Sequence, residues 1–424
     1  MKKRLQVKPL DPIMIRDGRP FSATPGIRAH TLSDVTPSML AGTIRTMLAK
    51  REQAQEGKSS LSLNHFSKLN VRGPLYKYRE NLYFAMPQDA EMYEEHGEAS
   101  IRFIRPVNLT GAQHGRQGFF GVGQEGRLAD MLWPPLGAGT HKGMKEAPAY
   151  ISKERMVHWL TGTVTEETWS KLLNQWRLDQ KNNPLHTACE TTPFLPAFIR
   201  EERTHTAIDP KTYTAKEQQL FSTESLVFPP DFTVEAEIDF GEHTSSCTGK
   251  ISEMHPMGGK RRLAHFSEVE DDFSWTCPLA IQESMQGASY IRMVLATPAY
   301  FRKGWLPGWL DENLQTKNPW KCGVELQLRW ACVPRWQPVS GWSYSKDGLS
   351  NEKAVRRMVP AGSVYFFEVT KGNAADLAKE MWLQSVSDTN RRKEAFDKED
   401  GFGLALWGKW NITNSPQMNK INLL

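Results

Sequence analysis

Near the end of the chain, Gly403 to Lys409 spell G-x-x-x-x-G-K, the skeleton of a loop that cradles phosphates with backbone N–H groups and a lysine. That chemistry also needs Ser or Thr after the lysine to hold magnesium, and a helix opening there. Trp410 stands in that place, and large Phe402, Leu404 and Leu406 alternate with small Gly401, Gly403 and Ala405, as in a strand. The segment is therefore a glycine-punctuated strand carrying a lysine, and the ATPase reading fails. Glycines in a strand admit another backbone at close range, whether protein or nucleic acid. Gly403, Gly408 and Lys409 are on this reading candidates for contact with a sugar-phosphate chain.

Other segments repeat the pairing of glycine with cations. Arg16-Asp17-Gly18-Arg19 makes a compact basic turn, and Gly42 to Arg45 brings Arg45 toward the same face. Met257-Gly258-Gly259-Lys260-Arg261-Arg262 presents two glycine N–H groups followed by three cations, a pattern suited to phosphate. In Arg203 to Phe221, Asp209-Pro210-Lys211-Thr212 is a turn signal between two β-prone runs. That hairpin carries Arg203, His205, Lys211 and Lys216 on polar arms, with Tyr213 beside its turn. Each segment alone reads more readily as a solvated surface turn. Their recurrence points to a phosphate-bearing partner.

Catalytic constellations are weak. The eleven histidines are scattered, and no H-E-x-x-H, G-x-S-x-G or H-x-x-x-H spacing occurs. His30 and His205 are the available acid–base pair for cleaving RNA through its 2′-hydroxyl, but an isolated histidine beside arginines also serves as a phosphate contact. Five cysteines, an odd number without C-x-x-C, argue against a disulfide framework or zinc ribbon and fit a reducing cytoplasm. Net charge is +5 with pI about 8.8, which permits an RNA partner without demanding one. The basic N-terminus runs into no apolar stretch, so no signal peptide is expected, and no window reaches membrane-helix length.

The elements that would position these residues are legible in part. Leu5 to Ile15 alternates loosely as a strand. Thr36-Pro37 reads as an N-cap and first helical residue, and Leu40, Ile44, Met47 and Leu48 place a helix over 38–50. Gly42 inside it implies a packing or close-contact reason, since glycine costs about 1 kcal/mol there. Residues 88–143 read as long loops or an insertion. Trp169, Leu172, Leu173 and Trp176 give a short amphipathic helix. Phe232 to Phe240 alternates as a strand with one wet face. The last third supplies strands at 291–296, 324–332, 363–369 and 401–410, with a helix capped by Asn373. This order fits an α+β, split β-α-β arrangement, although no helix shows between the first two strands. A boundary near residue 280 divides the chain into an N-terminal domain, 1–280, and a C-terminal domain, 281–424.

Taken in order, these segments resemble the RAMP superfamily of CRISPR-associated proteins over almost the whole chain. Leu10 to Phe21 is similar to its N-terminal signature, Pro37 to Arg45 to its first helix, and Arg203 to Phe221 to its thumb hairpin. Gly258 to Arg262 and Gly401 to Trp410 are similar to its glycine-rich loops. Within it, the chain resembles the third-subunit family of the Cmr (type III-B) effector complex; the equivalent Csm subunit shares the thumb logic. The resemblance implies two ferredoxin-like (RRM-like) domains with a protruding thumb near 203–228; insertions around 88–143 and 150–185 depart from that core fold. It also implies a non-catalytic subunit without cofactor or metal. Such a subunit grips the 5′ tag of the CRISPR RNA and docks on the large polymerase-palm subunit and the backbone RAMP subunits. Two other readings stay open: a metal-independent CRISPR RNA-processing endoribonuclease, and a carbohydrate-binding or scaffold module built on Trp305, Trp309, Trp320, Trp330, Trp336 and Trp342.

Overall fold

In the computed structural model, the described residues are 1–16, 26–57, 66, 69–108, 132–133, 135, 141–182, 192–241, 249–270, 275–317, 320–344, 350–352, 354–388 and 400–411. Their architecture is α+β, and nearly every strand pairing is antiparallel.

The larger sheet has eight strands in the order Ser252–Met257, Arg262–Val269, Lys2–Pro9, Phe232–Asp239, Asn70–Tyr78, Asn81–Ala85, Tyr150–Ser152, Phe194–Leu195. The helix Pro37–Glu56 packs on it against Asn70–Tyr78 and Ser252–Met257, burying Leu40, Ile44, Met47 and Leu48. The helix is longer than its apolar spacing suggests. The polar run Arg51–Glu56 continues it, and left-handed Gly57 closes it by donating its N–H to Gln53 O. Thr36 occupies the N-cap position but its side chain makes no capping bond. Among the described residues no heavy atom lies within 4 Å of where a Cβ at Gly42 would stand, so none of them gives it a packing reason.

Phe232–Asp239 corrects the expectation of one wet face. Val234, Ala236 and Ile238 enter the core as the alternation requires, yet Thr233, Glu235 and Glu237 are buried too. Their charges are matched: Lys77 lies 3.5 Å from Glu235, while Lys2, Arg4 and Arg72 converge on Glu237. Amphipathic alternation reports polarity, and an ion-paired carboxylate satisfies it without water.

The smaller sheet orders Glu325–Cys332, Val364–Lys371, Tyr290–Leu295, Ala405–Lys409. Numbered along the chain, these are second, third, first and fourth. The strands Asn70–Tyr78, Phe232–Asp239, Lys2–Pro9 and Arg262–Val269 stand in the same order in the larger sheet. Helices Leu279–Met285 and Ala374–Met381 pack on each other and on Ala405–Lys409. As read from sequence, Asn373 caps the second of these, its side chain accepting from Ala375 N.

The region read as loops contains a hairpin, Ala90–Glu95 with Glu98–Phe103, followed by helices Lys153–Thr161 and Glu166–Asn182. Glu166, Ser170 and Asn174, one helical turn apart, take the backbone N–H groups of Phe103, Ile101 and Ala99. A helix thus satisfies an edge strand through its side chains, a pairing with no hydrophobic period to betray it. One core cluster runs from Leu75 through Trp159, Trp169 and Phe194 into the smaller sheet and on to Trp410.

Candidate nucleic-acid interface

The predicted hairpin is present as Ile199–Ile208 paired with Ala215–Val227. Its tip is an Asx turn: the Asp209 carboxylate accepts from Lys211 N at 2.8 Å, and Tyr213 N donates to Asp209 O. Tyr213 adopts φ +56° and is 83% exposed.

Segment Ile13–Met14 brings the hairpin base to the glycine turn. Ile13 exchanges two backbone hydrogen bonds with Leu226, and Met14 O accepts from Gly259 N at 2.8 Å. A Cβ at Gly258 would stand 2.7 Å from Met14 O, so only glycine fits there, and φ +72° suits it. Beyond it, Lys260 and Arg261 hold φ +57° and +51° at an exposed turn. Left-handed backbone costs a non-glycine residue about 1–2 kcal/mol, and two adjacent cations bear it here.

The result is one basic face assembled from distant segments. Register pairs Phe221 with His205 and Thr223 with Arg203 across the hairpin. His205 stacks on Phe221 with ring centroids 5.1 Å apart, and Lys260 reaches over the same ring. Lys260 Nζ lies 2.9 Å from His205 Nε2 and 3.5 Å from Thr223 Oγ1. Arg203 is held bidentate by Glu201, and Arg262 follows the turn. Burial first, then Lys260, Arg203 and Arg262, hold His205 below its ordinary value. Burial first, then Arg262 and Arg203, likewise lower Lys260. Excess positive charge at this face is thus physical and local.

The remaining candidates are placed elsewhere or differently. Lys211 and Tyr213 sit at the tip of the same hairpin, and Lys216 is exposed beyond its turn. Arg16 bridges Thr31 close to the Ile13–Met14 segment; Arg19 lies outside the described residues. Arg45 is turned into the protein, bonding Leu69 O and Asp400. The close backbone partners of the terminal glycines are protein: Gly401 meets Gly73, Gly403 meets Ser387, and Gly408 meets Leu160. Lys409 lines a small depression with Arg105, His158 and Arg292, apart from the hairpin.

His30 lies 3.3 Å from Glu224, whereas His205 bonds Thr223. Adjacent strand residues face opposite ways, so the two histidines stand on opposite faces of the hairpin and cannot flank one phosphodiester. Trp309 and Trp320 pack edge-to-face against the core, with Trp320 against Trp407; Trp305 and Trp336 are partly exposed. Among the described residues, no three His, Cys, Asp or Glu side chains converge as a metal set, and no helix is long and apolar enough to cross a membrane.

A cleft of about 680 Å³ lies between the sheets, lined by Pro74, Tyr83, Phe198, Pro298 and Trp336. At one end Asp34 accepts from Tyr150 and Tyr76; burial, then the Asp34 charge, pushes both phenols up. These groups hold their protons and stay structural near neutrality.

Phe221 completes the basic face as its ring platform, and Thr223, absent from the sequence reading, adds a hydroxyl. Hairpin register would have found Thr223, but a shift between Ala215 and Leu220 breaks counting from the turn.

The family model described as "CRISPR-associated protein (Cas_Cmr3)" matches residues 5–410. No curated protein sequence matches the chain. Among solved structures, a chain of the type III-B Cmr-beta complex bound to cognate target RNA and AMPPnP is similar at 15% identity, TM-score 0.45, covering 86% of both chains. A chain of the Csm3–Csm4 subcomplex of a type III-A interference complex is similar at 9% identity and TM-score 0.36, covering 88% of this chain and 94% of that one.

Proposed function

The chain belongs to the CRISPR-associated protein (Cas_Cmr3) family, and from that premise we propose that it is an RNA-gripping, non-catalytic subunit of a type III-B effector complex. The hairpin is its thumb, and the face of Arg203, His205, Lys260, Arg261 and Arg262 receives the 5′ tag of the CRISPR RNA. The carrying observation is the convergence of hairpin base and glycine turn through Ile13–Met14, with two cations held in left-handed backbone. In this reading the two sheets, alike in strand order, are two divergent ferredoxin-like domains meeting near residue 280. The second lacks the first helix of that pattern: among the described residues, 296–324 run as turns and bridges. Contacts with the large subunit and backbone subunits fall to the remaining surface.

Phosphate contacts by lysine and arginine supply salt-dependent affinity; bases of a single strand are held by stacking. Replacing Lys260, Arg261 and Arg262 with alanine should weaken binding of tag-containing RNA to the full chain. The log–log salt slope should fall by about 2, at roughly 0.7 per phosphate contact on a single strand. An unchanged slope would overturn the placement of the RNA on this face. Incubation with precursor RNA in EDTA should yield no cleavage; cleavage lost in His205→Asn would instead make the chain a nuclease.

A further inference from the structure

We propose that the Lys260–His205 pair is a proton-coupled phosphate site: when a phosphodiester docks between them, His205 takes up a proton and becomes a second cation. The inference rests on the RNA-gripping reading and adds how its central contact is charged.

An ammonium nitrogen 2.9 Å from an imidazole nitrogen can only be a donor. His205 Nε2 is therefore the acceptor, its proton sits on Nδ1, and the ring is neutral. The Thr223 hydroxyl, 3.0 Å from Nε2 and 3.5 Å from Lys260 Nζ, closes the triangle. Stacking on Phe221 fixes the ring plane, so Nε2 points at the turn and not freely into solvent.

The surroundings decide what happens when an anion arrives. On its own strand His205 has Arg203, whose charge is partly offset by Glu201. Across the hairpin stand uncharged Phe221 and Thr223. From the turn and the strand after it Lys260 and Arg262 act on the ring. Asp11 acts on Arg203 and pins Leu263 N at 3.0 Å. The sum is cationic, and after burial, the larger cause, it suppresses protonation of the ring. A phosphodiester placed against Lys260 cancels the charge part of that suppression. Lys260 turns its N–H groups to the phosphate oxygens, Nε2 loses its donor, and the ring gains a proton from solvent to donate in its place. The balance is one proton taken up per RNA bound, with no bond broken.

Linkage then fixes the sign. Between the free and bound values of His205, affinity rises as pH falls, by at most about tenfold per pH unit for one proton. The measurement is calorimetric titration of the full chain with a short single-stranded RNA carrying the tag, in buffers of different ionisation enthalpy, across that range. Uptake approaching one proton is expected, and His205→Asn should abolish it while lowering the salt slope by no more than the single contact, about 0.7, that the charged ring supplies. The His205 ring resonances should move toward the charged form on RNA addition. Binding with the full salt slope but no proton uptake would remove this inference and leave the RNA-gripping function standing. No RNA binding at any pH would remove both. Uptake undiminished in His205→Asn would place the titrating group elsewhere and overturn the assignment.

Discussion

Two glycines on the same chain carry opposite expectations under the same substitution. Gly42 is exposed in the middle of the first long helix with open space around it. Gly42→Ala should raise unfolding stability by about 1 kcal/mol, because alanine loses less backbone entropy in a helix. If the open space instead receives a partner backbone, RNA or subunit binding drops while the stability gain remains; chemical denaturation beside a binding titration separates the two effects. Gly408 is the reverse case. A Cβ there would lie 2.6 Å from Leu160 O and 2.8 Å from its Cα, so helix Lys153–Thr161 must shift. Gly408→Ala should cost about 1–3 kcal/mol, as overpacking does. The sequence displayed both glycines equally. It did not display that residues 153–161, about 250 positions upstream, would supply the backbone that Gly408 admits. The G-x-x-x-x-G-K pattern was thus sound as a sign of close approach, and silent about whose backbone approaches.

At the scale of elements, what was legible followed from local rules. The hairpin turn, the Asn373 cap and the first three late strands announced themselves through turn chemistry or period and stand within two residues of their expected places. The first long helix runs on to Glu56, and the last strand keeps only Ala405–Lys409, with Gly401 and Gly403 in a positive-φ turn before it. What stayed hidden depended on partners remote in sequence. The hairpin Ala90–Glu95/Glu98–Phe103 carries no clean alternation because one edge is satisfied by helix side chains. The buried carboxylates of Phe232–Asp239 looked wet because Lys77 and Arg72 come from another strand. The hairpin Ile199–Ile208/Ala215–Val227 can be tested at this level. Tyr213 is 83% exposed at the tip, so its loss removes little packing. Tyr213→Ala should leave the thermal midpoint unchanged and lower RNA affinity by about 1–3 kcal/mol, the usual worth of one base-stacking aromatic. Affinity unchanged by that replacement would confine RNA contact to the hairpin base, where Lys260 and His205 stand.

For the whole molecule the question is whether two sheets mean two folding units. Side-chain contacts argue for one. Asp89, 1% exposed, accepts from Arg292 and from Trp159 Nε1, while Arg292 also reaches Trp159 O. The turn holding Asp89 is pressed on Gly362, in the turn before strand Val364–Lys371 of the smaller sheet, where Gln88 N donates to Gly362 O at 2.8 Å. Arg45 of the first long helix meets Asp400, and Arg72 donates to Leu383 O. Around these polar ties one hydrophobic cluster, from Leu75 to Trp410, draws on both sheets, while a second, from Leu5 to Phe266, belongs to the larger sheet. Residues 1–280 and 281–424 expressed apart would each expose the side chains that meet in the shared cluster. They should therefore aggregate or remain unfolded, while the full chain melts in a single calorimetric transition. The Asp89–Arg292 pair tests the tie directly. Arg292→Ala strands a buried carboxylate and should cost about 3–5 kcal/mol, whereas the double replacement Asp89→Leu with Arg292→Met should recover most of that loss. Because the pair joins the two units, the single variant should lower the whole transition and leave no half folded. A melt that splits in two, with the larger sheet surviving, would show instead that the seam is an interface between independent domains.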